Sequence, residues 1–209
     1  MDNKKRHERL RLLVKKLNRE RKQQAKKTDI LCNDFVAAQR EFIRRLNTIS
    51  FTAAFYEAIL GAAGLNDLLY TAAALVKEEI PESNVTFFLR QQDGFELHMF
   101  ENNQPISLDK QHIENCFTRE LMESICKSNK VCMLEEMFAM GLEGNLADLS
   151  RVSGATVPLG VNGASLGFML IYRPSHNKLT RQTLTGICAA TCGLSRAIRS
   201  CHAPARPAS

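Results

Sequence analysis

The sequence predicts an α+β protein in which an antiparallel sheet of about five strands is flanked by helices and preceded by a long N-terminal helix. Three observations predict this class. The first fifty residues contain neither Pro nor Gly and are rich in helix-forming residues. After residue 80, the apolar residues gather in short runs rich in β-forming side chains. Two pairs of these runs are joined through Asp93-Gly94 and Asn162-Gly163, dipeptides typical of tight hairpin turns.

Residues 1–50 are predicted to form a basic dimerisation helix. A heptad register gives a mostly apolar seam that is interrupted in its middle by Arg21, Gln24 and Thr28 and includes Arg45 near its end. The apolar seam positions are Leu10, Val14, Leu17, Leu31, Phe35, Ala38, Phe42 and Ile49. A single helix cannot bury such a seam, so we expect a homodimeric coiled coil. Packing of the helix against the chain's own domain is the alternative, and the sequence leaves the number of strands in the coil open.

The positive charge of the chain is concentrated in this helix. Residues 1–50 carry 15 Lys or Arg against 6 Asp or Glu, whereas the remaining residues carry 13 against 16. A solvated helical face is the favoured interpretation, and nucleic acid is not an expected partner because no aromatic residues alternate with the charges. The absence of a long apolar segment and of a secretory signal predicts a cytoplasmic protein without a membrane partner.

Residues 51–201 are predicted to form one domain, followed by a disordered tail at 202–209. Apolar spacing predicts helices at 67–80, 109–128 and 179–199. Strands are predicted at 85–90, 95–100, 131–137, 154–160 and 165–173. The stretch between residues 138 and 150 is predicted to be a loop with a short helix.

Two segments in this region resemble the GAF domain family, over about residues 64 to 200. ATVPLGVNGASLGFMLIYRP (155–174) is similar to the penultimate hairpin of that family, and NKLTRQTLTGICAATCGLSRAIRS (177–200) is similar to its closing helix. The resemblance implies a fold related to PAS domains, a small ligand held between the sheet and a loop-and-helix layer, and dimerisation through terminal helices. Many family members pass a signal to an attached output domain. Here we expect the output to lie in a signalling partner or in the dimer itself.

The resemblance also places a candidate ligand pocket, although the ligand and any cofactor remain unknown from the sequence. The predicted pocket residues are Phe88, His98, Phe100, Cys116, Phe117, Met133, Met137, Phe138 and Thr156. The motif of the cyclic-nucleotide-binding members is incomplete, because Asn177-Lys178 is followed by Leu179 in place of Phe and by Thr183-Leu184 in place of the acidic pair. A cyclic nucleotide is therefore not the expected ligand. No charged cluster marks a phosphate site, so a modestly polar or apolar ligand is expected.

The sequence contains no motif that predicts catalysis. A P-loop, GxSxG, HExxH and CxxC are all absent, and the five histidines are dispersed. Some GAF proteins are methionine sulfoxide reductases, but their cysteine pattern cannot be placed on this chain. We therefore expect no enzyme activity and no metal site.

The function predicted from the sequence is that of a signalling protein that senses a small molecule. A ligand-free structural adaptor is the first alternative. A redox or metal sensor that uses Cys116, Cys126 and Cys132 is the second, because thiolates are soft ligands and oxidisable groups. The competing interpretation of these cysteines is that they are small buried apolar residues.

Overall fold

The computed structural model describes residues 2–100, 110–144, 149–161 and 163–202. The chain divides into two compact units, residues 1–47 and residues 48–209. The first unit is helical over its described part and belongs to α1 (Asp2–Leu60). The predicted long N-terminal helix is confirmed. It extends past residue 50 because no Gly or Pro occurs before Gly61.

The second unit contains the last turns of α1 and the elements of an α+β domain. Its other helices are α2 (Leu65–Glu79), α3 (Lys110–Cys116), α4 (Arg119–Ser128), α5 (Leu134–Ala139) and α6 (Thr185–His202). Its strands are β1 (Asn84–Gln91), β2 (Gly94–Phe100), β3 (Cys132–Met133), β4 (Val152–Val161) and β5 (Ala164–Pro174).

The five strands form one sheet in the order β2-β1-β5-β4-β3, and every neighbouring pair is antiparallel. This confirms the predicted fold class. Both predicted hairpins are present: β1 and β2 meet at Gln91 and Gly94, and β4 and β5 meet at Val161 and Ala164. Among the described strands, β2 pairs with β1 and lies at one edge, so the centre of the sheet is formed by β1, β5 and β4.

One face of the sheet, here called the α2–α6 face, is covered by α2, α6 and the last turns of α1. Alternate residues of the central strands point to it and are fully buried, as the period of two in a strand requires. They are Val85, Phe87, Leu89, Ala155, Val157, Leu159, Met169 and Ile171. They pack against the apolar stripes of the helices, so this layer is the larger of the two apolar cores.

The last turns of α1 are fixed to α6 at positions where α6 has small residues. The Tyr56 ring lies against Gly193, and the Tyr56 hydroxyl donates a hydrogen bond to the Ala189 carbonyl oxygen at 3.2 Å. Five residues earlier on α1 and about two turns earlier on α6, Phe51 lies against Gly186. Glycine allows this close approach because a Cβ at residue 193 would overlap the tyrosine ring.

The opposite face, here called the α3–α5 face, is covered by α3, α4 and α5. Phe88, Phe168, Leu170 and Tyr172 point to it and form a second apolar cluster with residues of these helices. The covering helices are short and differ from the single predicted helix at 109–128. Thr118 breaks that helix: its Oγ1 accepts a hydrogen bond from the Leu121 N–H at 3.3 Å and so caps α4.

Two other predicted boundaries also differ from the structure. The strand predicted at 131–137 ends after Met133, because the Met133 N–H donates to Glu136 Oε2 at 2.8 Å and a helix begins. The last helix begins at Thr185 rather than Leu179. Leu179 is buried in the preceding turn, where its N–H donates to Ser153 Oγ at 2.9 Å.

Candidate ligand-binding site

Three phenylalanine rings occupy the centre of the α3–α5 face. Phe88 and Phe168 come from neighbouring strands and are stacked, with ring centroids 4.6 Å apart. Phe117 lies in the break between α3 and α4 and approaches Phe88 at 4.9 Å and Phe168 at 6.0 Å. This packing fills the middle of the space that the sheet and its helical cover enclose.

Beside these rings lies a small cavity, here called the inner cavity, of about 30 Å³. Its lining is apolar and is formed by Ile113, Cys116, Phe117, Leu134, Met137, Leu142, Leu149, Val152, Gly154, Leu170 and Tyr172. A space of this size holds about one water molecule, and an apolar lining offers such a water few hydrogen-bond partners. The inner cavity is therefore suited to an apolar group rather than to a polar one.

A larger, more open cavity, here called the outer cavity, lies where α5 meets the start of β4 and has a volume of about 300 Å³. It is lined by Met133, Leu134, Glu135, Phe138, Leu149, Ser150, Val152, Ser153, Gly154, Ser175, Lys178 and Leu179. Four residues line both cavities: Leu134, Leu149, Val152 and Gly154. The side chains of the two leucines are thus part of the wall between an apolar space and a partly polar one.

The structure brings six of the nine predicted pocket residues to the α3–α5 face. Phe88, Cys116, Phe117 and Met137 are buried in its apolar cluster, and Phe138 packs against that cluster. Thr156 pairs with Leu170 in the sheet, is fully buried, and donates a hydrogen bond from Oγ1 to the Cys132 carbonyl oxygen at 3.5 Å. Of these six, Cys116, Phe117 and Met137 line the inner cavity, and Phe138 lines the outer one.

The structure places the other three predicted residues on the opposite face of the sheet. His98 pairs with Phe87 and Phe100 pairs with Val85, so both follow the register of residues buried on the α2–α6 face. The Phe100 ring lies 5.9 Å from Phe87, and His98 Nε2 lies 3.4 Å from Glu96 Oε1. Met133 pairs with Ala155 and packs against the same core, although it also borders the outer cavity.

Sequence reasoning missed the residues that line both cavities. Two of them, Val152 and Gly154, occupy alternate positions of β4. Leu170 and Tyr172, which line the inner cavity, do the same in the neighbouring β5. The period of two was visible in the sequence and groups these residues on one face. The contribution of Leu134 and Leu149 follows only from the position of α5 and of the chain before β4, which no local pattern indicates.

The cysteines proposed as sensors lie inside the apolar clusters. Cys116, Cys126 and Cys132 are buried on the α3–α5 face. Burial raises the pKa of the Cys116 and Cys126 thiols, and it also raises the pKa of Cys188 on α6. Over the described part of the chain, no three His, Cys, Asp or Glu side chains are arranged to hold a metal ion.

We predict that thiol labelling separates these cysteines into two groups. At pH 8, exposed Cys32, Cys192 and Cys201 should react with iodoacetamide at least about tenfold faster than Cys116 and Cys126. The thiolate is the reactive form, and a raised pKa keeps a thiol protonated, so the slow rates should continue to rise above pH 9. Peptide mass spectrometry over time measures each site. Labelling of Cys116 as fast as that of Cys192 at neutral pH would instead favour a reactive sensor thiol.

Comparison with known proteins identifies the architecture of this domain. No family model and no curated protein matches the sequence. Among solved structures, the GAF domain of a phosphoenolpyruvate-protein phosphotransferase from Acinetobacter matches with a TM-score of 0.56 at 14% identity, covering 77% of this chain and 97% of that one. The GAF domain of a phosphoenolpyruvate-protein phosphotransferase from Coxiella burnetii matches with a TM-score of 0.55 at 12% identity, covering 74% and 94%. The domain has the GAF fold.

A third matching structure corrects one prediction made from the sequence. The free methionine-R-sulfoxide reductase from Neisseria meningitidis, solved with its substrate, matches with a TM-score of 0.52 at 15% identity, covering 74% of this chain and 89% of that one. The GAF fold therefore also occurs in enzymes. The prediction that this chain has no enzyme activity is wrong, because neither the fold nor the absence of catalytic motifs supports it. At this identity the match shows the fold and assigns no reaction to this chain.

The helices add one finding about membranes. In the ranges that the structure describes, none of them is both long enough and apolar enough to cross a bilayer.

Proposed function

We propose that this chain is a cytoplasmic regulatory protein that senses a small, largely apolar molecule through its GAF-fold domain and forms a homodimer through α1. The observation that carries the sensing proposal is the pair of cavities on the α3–α5 face, which have four lining residues in common. A sensory or regulatory role is also the one that GAF domains most often serve.

The two cavities indicate the chemistry of the ligand. The outer cavity, at about 300 Å³, lies at the lower end of the range typical of small-molecule sites. Its Ser175 and Lys178 can donate hydrogen bonds to a carboxylate or another oxygen-rich group, and the exposed carboxylate of Glu135 also lies on its lining. Rotation of Leu134 and Leu149 would join it to the apolar inner cavity. We therefore propose a ligand with one anionic end and an apolar body that enters beneath α5.

Such a ligand would regulate the protein by favouring one arrangement of its cover. The inner cavity holds about one water molecule when α5 is closed over it, so a bound apolar group requires α5 and the chain before β4 to move from the sheet. A ligand shifts this equilibrium only by its difference in affinity for the two arrangements.

Self-association through α1 is the second part of the proposal. The seam side chains are strongly exposed, from 52% at Leu10 to 69% at Phe35. Large apolar side chains in a row at heptad spacing are typical of a helix that pairs with another helix. A second copy of this chain presents the same seam, so a homodimer would bury both seams without a further protein.

The sensing proposal is tested with two probes of the proposed chemistry, octanoate and indole-3-acetate. We expect at least one of them to raise the thermal unfolding temperature of the full chain in a concentration-dependent way. Gly154→Ala should weaken this response at least about tenfold in apparent affinity, because the new methyl group lies in the common wall of both cavities. The added Cβ would sit 3.8–3.9 Å from its neighbours, which is ordinary contact, so the variant should fold.

Gly94→Ala is the matched control, because Gly94 is the first residue of β2, directly after the hairpin turn, and a Cβ there meets nothing within 4 Å. It should respond to the probes as the unchanged protein does. A chain that responds to neither probe, or a Gly154→Ala variant that responds equally well, would contradict the proposed site.

A structural adaptor that binds no ligand is the second candidate, and the phenylalanine packing favours it. Phe88, Phe117 and Phe168 occupy the centre of the α3–α5 face with their own side chains. In that case the domain would contribute a rigid surface and the dimer would bind a protein partner. Intact self-association without any response to the probes is the result expected of this candidate.

A further inference from the structure

Five cations form one stripe along the first part of α1. They are Arg11, Lys15, Arg19, Lys22 and Lys26, spaced by four, four, three and four residues. At 3.6 residues per turn, this spacing keeps all five within about 80° of the helix circumference. All of them are exposed. We call this set the cationic stripe.

The middle of the cationic stripe has no acidic neighbour on its own face. Between residues 9 and 28 the sequence has one carboxylate, Glu20. Glu20 lies about 140° around the helix from the centre of the stripe, on the side of the apolar seam. Glu8 and Asp29 lie on the same face at the two ends of the stripe. The three cations in the middle of the stripe have no carboxylate three or four residues away, so their positive potentials add.

The stripe also stays accessible when α1 self-associates. In the heptad register, Lys15 and Lys22 occupy b positions, and Arg19 and Lys26 occupy f positions, which point away from the seam of a coiled coil. An anionic partner can therefore bind the stripe of an assembled protein. A membrane surface would in addition engage the apolar face, which the coiled coil buries.

The length and charge of the stripe fit a duplex nucleic acid. From Arg11 to Lys26 the helix advances about 22 Å, and a duplex of that length carries about 13 phosphate charges. No Phe, Tyr or Trp precedes Phe35, so this segment has no aromatic ring to stack on an unpaired base. Contact with the phosphate backbone needs cations alone, and backbone contacts carry no base sequence directly.

We propose that the cationic stripe of α1 binds the phosphate backbone of double-stranded nucleic acid without reading its sequence. This departs from the expectation drawn from the sequence, which required aromatic residues among the charges. That requirement applies to unpaired bases and not to a duplex backbone. The proposal is independent of ligand binding by the GAF-fold domain.

The test measures binding of the full chain to a fluorescein-labelled 25-base-pair DNA duplex by fluorescence anisotropy, from 50 to 200 mM NaCl. We expect binding that weakens steeply with salt and is unaffected by scrambling the DNA sequence. The variant Lys15→Gln/Arg19→Gln/Lys22→Gln should bind at least about tenfold more weakly at 50 mM NaCl. The slope of log affinity against log salt should fall in magnitude by about 2.7, the value for three lost phosphate contacts.

The matched control removes the same charge from the GAF-fold domain, through Lys110→Gln, Lys127→Gln and Lys130→Gln, all at exposed positions. It should bind DNA as the unchanged chain does, and circular dichroism should show equal helix content in all three proteins. Absence of binding at 50 mM NaCl, or equal loss in both variants, would overturn the proposal. So would stripe-dependent binding to phosphatidylserine vesicles without binding to DNA.

Discussion

Replacing Gly167 with alanine should destabilise the GAF-fold domain more than any other methyl addition considered for this chain. Gly167 lies in β5 with φ +134, and a Cβ there would overlap the carbonyl oxygen of Phe88 on the neighbouring strand. Backbone strain and overpacking together should lower the free energy of unfolding by about 3–6 kcal/mol. That is a large part of the stability of a typical domain. Denaturant unfolding followed by circular dichroism measures the change.

Gly94→Ala again serves as the comparison, since it makes the same substitution at the first residue of β2, where there is open space around the new Cβ. Its unfolding free energy should stay within about 0.5 kcal/mol of the unchanged protein. If Gly167→Ala cost less than about 1 kcal/mol, the close approach of β1 and β5 described here would be wrong.

Placing charge in the seam of α1 should abolish self-association. Phe35 and Phe42 occupy a positions of the heptad and are 69% and 63% exposed in the single chain. The variant Phe35→Asp/Phe42→Asp would bury four carboxylates in a dimer, two from each chain. We expect the dissociation constant of the dimer to rise at least about 100-fold, as measured by sedimentation velocity over a range of concentrations.

Leu12→Asp/Ile30→Asp is the control for this experiment, because Leu12 and Ile30 are equally apolar and exposed but occupy the outward f and c positions. This variant should remain associated. A seam variant that associates as strongly as the unchanged protein would show that another surface holds the copies together.

Much of the fold could be predicted from the sequence because the signals were local. The Asp93-Gly94 dipeptide between two β-forming runs predicted the β1–β2 hairpin, whose turn lies at residues 92–93, and the α2 stripe had helical spacing. The helix break at Thr118 could not be predicted in this way. A threonine within an apolar helical pattern does not by itself indicate a break, and the break is recognised only from the structure, where the Thr118 hydroxyl caps α4. The short α5 depends in the same way on the Glu136 side chain reaching back to Met133.

The candidate site was less predictable because it depends on register across the sheet. His98 and Phe88 lie on adjacent strands, yet the pairing of His98 with Phe87 puts their side chains on opposite faces. Leu149 reaches the site from the chain before β4, and Gly154 contributes by having no side chain. No composition or spacing rule identifies residues of these two kinds.

The most direct test of the proposed sensing dimer is native mass spectrometry of the full chain purified from its natural host. We expect a mass of twice that of the denatured chain, plus a small organic molecule that is released on denaturation. A single chain would contradict the role of α1. Two chains with nothing added would contradict the sensing proposal and favour the ligand-free adaptor.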